Sequence, residues 1–379
     1  MTYARLPRGF TCGIAAVLLW GAMVAAPAWA APAPDPRATA LIERLELREH
    51  GVASRDLPGW TPPRRIVVSP RLGAEQLATL RSVAPGVDVV ALADAGPRRA
   101  AQLAGAQAVL GLCDEAVLAQ ASSLHWIQTL GVGVEGCVSL PGLAQRGVVL
   151  TNMQRTSGPP IAEHAIAMMM ALARGLPRYA VHQQAQRWQS ERPHMREVGG
   201  RTLLVVGLGG IGTEVARRAH GLGMRVIATR NSRREGPDFV EKVGLSDELL
   251  SLAAEADVVI SAVPLTEETT DMFDRTFFDA MKPGGYFLNL GRGRSVVTDD
   301  LVAALQSGQL AGTGLDVTEP EPLPAGHPLW TLPNVIVSPH VSAGSDVQAQ
   351  RSQLVLVENL RRYVAGDALL NVVDIERGY

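Results

Sequence analysis

The segment Gly207-Leu208-Gly209-Gly210-Ile211-Gly212 follows the apolar run Thr202 to Val206 without a break and opens a helical pattern from Ile211 to Leu222. No other feature restricts the fold of this 379-residue chain as strongly. In such a strand-turn-helix unit the first glycine makes the tight turn, the second lets backbone approach a pyrophosphate, and the third lets helix pack closely on strand. Phosphates then meet the free N–H groups and the positive end of the helix dipole. The motif points to dinucleotide binding through Gly207, Gly209, Gly210, Ile211 and Gly212.

About twenty residues on, at the end of the second strand, an acid for the ribose hydroxyls is expected in an NAD site. Here the chain reads Ala228-Thr229-Arg230-Asn231-Ser232-Arg233-Arg234, with no acid before Glu235. An arginine such as Arg230 offers a 2′-phosphate a planar, charge-assisted fork, whereas an acid would repel it. This favours NADP, with NAD as the alternative.

Short apolar runs alternate with helical patterns on both sides of the motif. Upstream, strands are predicted at Arg65 to Ser69, Val87 to Leu92, Ala108 to Gly111, Trp126 to Thr129 and Gly147 to Thr151, with helices such as Ala74 to Val83 and Glu115 to Ala121 between them. A long apolar helix, Pro160 to Arg174, leads through a polar segment to a second series. Its strands are predicted at Thr202 to Val206, Met224 to Thr229, Asp257 to Val263, Tyr286 to Leu290, Gly312 to Val317 and Val335 to Ser338. Its helices are Ile211 to Leu222, Leu245 to Glu255, Arg275 to Met281, Thr298 to Ser307 and Asp346 to Ala365. Alternation of this kind argues for α/β architecture with parallel sheets. The expectation is two Rossmann-like domains with a cleft between them: a discontinuous substrate domain, 64–155 plus 345–379, and a dinucleotide domain with its interdomain helix, 156–344.

The chain ahead of residue 64 reads differently. Residues 1–30 have a basic start with Arg5 and Arg8, an apolar run from Ile14 to Ala26, and Ala28-Trp29-Ala30 before Ala31. That is the pattern of a cleaved secretory signal, and it places the mature protein in the periplasm or outside the cell; with the signal unused the protein stays cytoplasmic. The apolar run is short and broken by Gly21 and Pro27, so no stable membrane anchor is expected. Residues 31–63 are read as a Pro-rich linker carrying a charged helix, about Arg37 to His50. An exported dinucleotide enzyme folds where free cofactor is scarce, so either it captures or retains cofactor there or the signal is not used.

Charge excludes one class of partner. The 35 Lys and Arg residues against 37 Asp and Glu give a formal −2, and the signal contributes two of the arginines and no acid. There is no basic field for nucleic acid. Beyond the signal, Cys113 and Cys137 remain. They can pair after export, but with no CxxC and no histidine at ligand spacing they read better as small buried residues, and no metal site is expected.

Three loops after predicted strands carry an arginine, acids and a histidine: Asn289-Leu290-Gly291-Arg292-Gly293, Asp316-Val317-Thr318-Glu319-Pro320-Glu321-Pro322 and Ser338-Pro339-His340-Val341-Ser342. With the glycine motif, Val296-Val297-Thr298-Asp299-Asp300-Leu301 and Pro160-Ile161-Ala162-Glu163-His164, these segments resemble the D-isomer-specific 2-hydroxyacid dehydrogenases, in family order from about Arg64 to the carboxyl terminus. The resemblance implies Arg292 as the catalytic arginine, Glu321 as the acid and His340 as the acid/base. Arg292 can hold a substrate carboxylate and polarise the carbonyl, and His340 can give a proton in reduction and take one in oxidation. Glu321 would favour the imidazolium and orient the ring. Glu319 is the rival for that place, and register from Asp316 favours Glu321.

By the same resemblance Val263, Gly291 and Asp316 line the cofactor, Val132 and Gly133 in Gly131-Val132-Gly133-Val134 receive the substrate carboxylate through backbone N–H groups, and Glu135 matches a family acid. His164 reads as a packing or interdomain residue. The implied function is NAD(P)-dependent interconversion of a small-molecule 2-keto acid and a D-2-hydroxy acid, with a homodimer implied by analogy. A dinucleotide-binding sensor with residual dehydrogenase activity is the alternative, and the acid at Glu321 disfavours a formate oxidiser, where glutamine is usual.

Overall fold

The computed structural model describes residues 1, 32–190 and 195–379. The segment read as a signal, Met1 apart, lies outside the described residues. The first series runs α1 (Pro36–Leu45), β1 (Arg65–Val68), α2 (Ala74–Val83), β2 (Asp88–Ala91), α3 (Pro97–Ala104), β3 (Ala108–Leu110), α4 (Glu115–Gln120), β4 (Trp126–Gln128), α5 (Glu135–Val138) and β5 (Val149–Thr151). Its strands form one parallel sheet in the order β2-β1-β3-β4-β5. Ile66, Val68, Leu110 and Trp126 fill one face and Val67, Val109, Ile127 and Leu150 the other. Both faces are buried, as helix crossovers between parallel strands require.

The second series runs α6 (Gly158–Ala173), α7 (Leu176–Gln184), β6 (Thr202–Val206), α8 (Gly210–Gly221), β7 (Arg225–Thr229), β8 (Lys242–Gly244), α9 (Leu249–Glu255), β9 (Val258–Ser261), α10 (Arg275–Ala280), β10 (Gly285–Asn289), α11 (Thr298–Ser307), β11 (Leu310–Leu315) and β12 (Val335–Val337), and ends in α12 (Gln348–Ala365). Its parallel sheet has the order β12-β11-β10-β9-β6-β7-β8, so the chain reverses direction across the sheet between β6 and β9, and the glycine turn lies at that switch point. α6 crosses α8 closely: a Cβ at Gly158 would stand 3.1 Å from the Gly210 carbonyl oxygen. α12 returns to the first sheet, where Val355, Leu356, Leu360 and Tyr363 join the core of Ile66 and Trp126. The substrate-side unit is therefore discontinuous.

Residues 32–63 carry a helix as expected, but they pack against the first core rather than standing off as a linker. Asp35 caps α1 by accepting from the Arg37 backbone N–H at 2.8 Å, and Ala38, Leu41 and Leu45 turn one face into the first core beside α12. The Arg48 carbonyl accepts from Asn371 N, and Glu49 bridges Leu370. The charges of Arg37 to His50 occupy the outer face, which hid the apolar stripe at helical spacing. The helix also stops at Leu45 rather than His50.

The cysteine reading is corrected as well: Cys113 and Cys137 form a disulfide, with Cα atoms 5.5 Å apart at a sequence separation of 24. Adjacent β3 and β4 bring the loop after one against the helix after the other, a neighbourhood that spacing alone does not reveal. Elements that went unread were polar or short. β8 is Lys-Val-Gly at a sheet edge, α3 has one buried leucine, Leu103, and α7 buries nothing within the chain.

Leu41 supplies the test of the amino-terminal segment. Leu41→Ala is expected to lower unfolding stability by about 2 kcal/mol or more, as for a buried core leucine, where a linker residue would change it by about 0.5 kcal/mol or less. Urea denaturation of the two proteins measures the difference.

Candidate active site

Each reactive residue stands on a connection leaving the carboxyl end of a strand. Arg292 follows β10, in a turn clamped by Asn289, whose Nδ2 donates to the Arg292 carbonyl at 2.8 Å and whose Oδ1 accepts from Gly291 N at 3.0 Å. Gly291 is needed there because a Cβ would stand 2.6 Å from the Val263 carbonyl oxygen. The Arg292 side chain reaches across to the first unit. Its Nε donates to Glu135 Oε1 at 2.8 Å, its Nη1 to the Gly291 carbonyl at 2.8 Å, and its Nη2 occupies the space that a Cβ on Gly133 would fill. The loop of residues 131–134 and the arginine thus meet across the cleft. Val132 beside them is half-buried, and its carbonyl accepts from Asn152 Nδ2 at 2.7 Å.

His340 follows β12. Its Nδ1–H donates to Glu321 Oε2 at 3.0 Å, and Glu321 Oε1 accepts from the Thr318 backbone N–H at 3.0 Å. Glu321, not Glu319, is the acid on the ring, so the repeated Glu-Pro resolves in favour of the second. His340 and Glu321 remain about half exposed, open to the cleft.

The loop that carries His340 is set by a buried carboxylate that sequence reading had given to the cofactor. Asp316, 2% exposed, accepts from Ser338 Oγ at 2.6 Å, Val341 N at 3.0 Å and Ser342 N at 3.0 Å, and its own carbonyl accepts from His340 N at 2.8 Å. Burial alone would raise the pKa of Asp316, but these donors from Ser338, Ser342 and Val341 outweigh it and hold the carboxyl below its usual range. His340, between these donors, has φ 54°, in the left-handed region that non-glycine residues uncommonly adopt. His164 on α6 completes the chain, its Nε2 lying 2.9 Å from Ser338 Oγ. Sequence reading missed the serines because each is an ordinary loop residue until the fold gathers them round Asp316.

The glycine turn fits a dinucleotide. Gly207 has φ 93°, and a Cβ on Gly212 would collide with the Gly207 carbonyl oxygen, so strand and helix can meet only without side chains. A Cβ on Gly209 would meet nothing, which leaves open space over the start of α8, where phosphates would lie. Val263 packs against Gly207 and Gly291, so these three meet where β6, β9 and β10 end, while the half-buried Ile211 packs on the core between α6 and the sheet.

Arg230 follows β7. Its Nε is buried with no hydrogen-bond partner, and its pKa is lowered by burial and by the charges of Arg233, Arg48 and Arg155. Arg48 and Arg155 come from the first unit, and Arg155, at φ 67°, lies against Gly210. Two of these cations were not legible because they belong to the other half of the chain, and one of them, Arg155, is paired with Glu46 at 3.1 Å. Arg234 is drawn away, to Glu248 at 2.5 Å.

Residues 166–342 match the family described as D-isomer specific 2-hydroxyacid dehydrogenase, NAD binding domain. A glyoxylate reductase of Korarchaeum cryptofilum is 35% identical over 268 residues, 69% of this chain and 80% of that one. The chain belongs to the D-isomer-specific 2-hydroxyacid dehydrogenase family. Among solved members, a dehydrogenase of this family from Xanthobacter autotrophicus in complex with NADPH and MES matches with a TM-score of 0.72 at 28% identity, over 84% of this chain and 100% of that one. An NADPH-dependent glyoxylate/hydroxypyruvate reductase from Sinorhizobium meliloti in complex with NADP and sulfate matches with 0.71 at 29% identity, over 83% and 100%.

In this dehydrogenase Gly133 is the residue whose change separates fold from chemistry. An added methyl group would meet a flexible guanidinium and Glu135 Oε2, at 2.7 Å, rather than backbone. Gly133→Ala is expected to leave melting temperature and cofactor affinity close to wild type while kcat/KM for a keto acid falls about 100-fold, because Arg292 is displaced by an ångström or so. Steady-state kinetics beside a thermal melt tests this.

Proposed function

We propose that the protein reduces a 2-keto acid to a D-2-hydroxy acid with NADPH, and catalyses the reverse oxidation. The observation that carries the reading is the meeting of Arg292 with the Gly133 loop at one side of the cleft and the His340–Glu321 pair at the other. When bound, the nicotinamide supplies the hydride that reaches C2. Arg292, now paired with Glu135, exchanges part of that pairing for the substrate carboxylate, which the backbone N–H groups of Val132 and Gly133 share. The guanidinium also stabilises negative charge as it develops on the carbonyl oxygen. His340 Nε2 delivers the proton to that oxygen, and Glu321 on Nδ1 fixes the tautomer and stabilises the charged ring. Glu321 acts through the histidine and is a positioning residue.

The glycines of residues 207–212, with Ile211, Val263 and Gly291, would hold the dinucleotide, and Asp316 would support the nicotinamide end by setting the His340 loop. Arg230, with Arg233 and Arg48, would hold the 2′-phosphate, and the buried unpartnered Nε of Arg230 supports NADP over NAD. The NADP and NADPH complexes of the Sinorhizobium and Xanthobacter proteins support the same choice. The assay is oxidation of NADPH and NADH with glyoxylate, hydroxypyruvate, pyruvate and bulkier keto acids. His340→Ala should lower kcat by 100-fold or more with cofactor still bound, and Arg230→Ala should cut the NADPH-over-NADH preference about tenfold. A folded protein that binds cofactor and turns over none of these acids would end the proposal.

Two further points belong to the same reading. The α7 arm exposes Leu176, Val181 and, beyond it, Trp188, an apolar surface that supports a homodimer. The disulfide supports export to an oxidising compartment, and no helix among the described residues is long and apolar enough to cross a membrane. Native mass spectrometry of the protein from fractionated cells reads both: an exported two-chain species with each chain starting at Ala31 is expected, and a cytoplasmic monomer retaining Met1 would overturn both.

A further inference from the structure

The disulfide does not lie at the periphery of the fold. An open cavity of about 240 Å³ sits at the carboxyl ends of β3 and β4, and both Cys113 and Cys137 line it. The remaining side chains on its wall are Leu112, Thr129, Leu130 and Val134, and Gly133 stands on its rim, where the Arg292 guanidinium lies. None of the lining residues carries a charge. The one hydroxyl, Thr129 Oγ1, is already committed, donating to the Gly131 carbonyl at 3.1 Å. The cavity therefore adjoins the place where Arg292 and Gly133 would hold a substrate carboxylate on the reading above.

We propose that the cavity receives the substrate's side chain and that the Cys113–Cys137 disulfide is the wall that sets substrate size, so that the protein selects 2-keto acids with an apolar substituent of a few carbons. The inference rests on the keto acid reductase reading above and adds the substrate class to it.

The walls explain why the bridge matters. Leu112 and Cys113 belong to the loop after β3, while Val134 caps and Cys137 lies within a helix, α5, of only four residues. Neither element is self-sustaining, because one helical turn and a surface loop gain little from local hydrogen bonding. Leu112 and Val134 face one space because a covalent link holds the two connections with Cα atoms 5.5 Å apart. Cleaving it frees one wall from the other and removes the contacts along a bulky substituent. Glyoxylate, with only hydrogen at C2, has no group to place there. A phosphate-bearing or carboxylate-bearing substituent would enter without a cation to meet it.

An apolar pocket of this kind discriminates by about tenfold or more per methylene group. The test compares kcat/KM for 4-methyl-2-oxopentanoate and for glyoxylate in the oxidised protein, in the same protein after dithiothreitol, and in Cys113→Ala/Cys137→Ala. Dithiothreitol converts the bridge to two thiols and is itself oxidised to its cyclic disulfide. The oxidised protein is expected to prefer the branched acid by about tenfold or more, and both treatments are expected to lower that ratio about tenfold. Where the double variant does not fold, which circular dichroism reads, the reduced wild-type chain carries the comparison. A preference for glyoxylate in the oxidised protein, or a ratio unmoved within twofold by cleavage, overturns the inference while leaving the reductase reading in place. Absence of turnover with every keto acid overturns the reading itself.

Discussion

Parallel strands cannot be joined by hairpins, so each strand of both sheets passes the chain to a connection that leaves its carboxyl end and crosses a face. Everything reactive here follows from that constraint. Gly207 and its neighbours follow β6, Arg230 follows β7, Arg292 follows β10, Asp316 follows β11 and His340 follows β12. In the other sheet Cys113 follows β3 and the Gly133 loop follows β4. Because α6 and α12 carry the chain between the sheets, the two sets of carboxyl ends open toward each other. The Arg292–Glu135 pair spans the gap.

Within that frame, electrostatics sets the fine geometry. Asp316 is a buried carboxylate that stays charged because hydroxyl and backbone donors converge on it, and those same donors are the loop that presents His340. At the far end of the cleft the logic is inverted. Arg233, Arg48 and Arg155 lower the pKa of Arg230, with only Glu235 acting against them, and Arg155 is itself paired with Glu46 at 3.1 Å. One site satisfies its charge with neutral donors of its own chain, and at the other the buried Nε of Arg230 has no partner.

Much of this was legible from the residues. The glycine spacing, the absence of an acid before Glu235, and the Arg, Glu and His segments named the parts because each depends on local chemistry: φ angles, close backbone approach, charge and titration range. Strand positions were legible from apolar runs, with boundaries shifted by a residue or two, as at Leu310 where a run was expected to start at Gly312. The polar or short elements α3, α7 and β8 escaped because their stability comes from neighbours. The segment from Asp35 to His50 was misread for a related reason, since its charged face dominates the composition while Leu41 and Leu45 do the packing.

By itself, then, the sequence determined the fold class and the dinucleotide turn, because these follow from residue type and short-range spacing, while the arginine, the acid and the histidine were named through the family resemblance of their segments. The tertiary structure decided what acts on what. It chose Glu321 over Glu319, turned Asp316 into the support of His340, joined Cys113 to Cys137, and drew Arg48 and Arg155 to Arg230 from the opposite half of the chain. Those are relations between groups far apart in sequence, and only the closing of two sheets on one cleft brings such groups within a few ångströms.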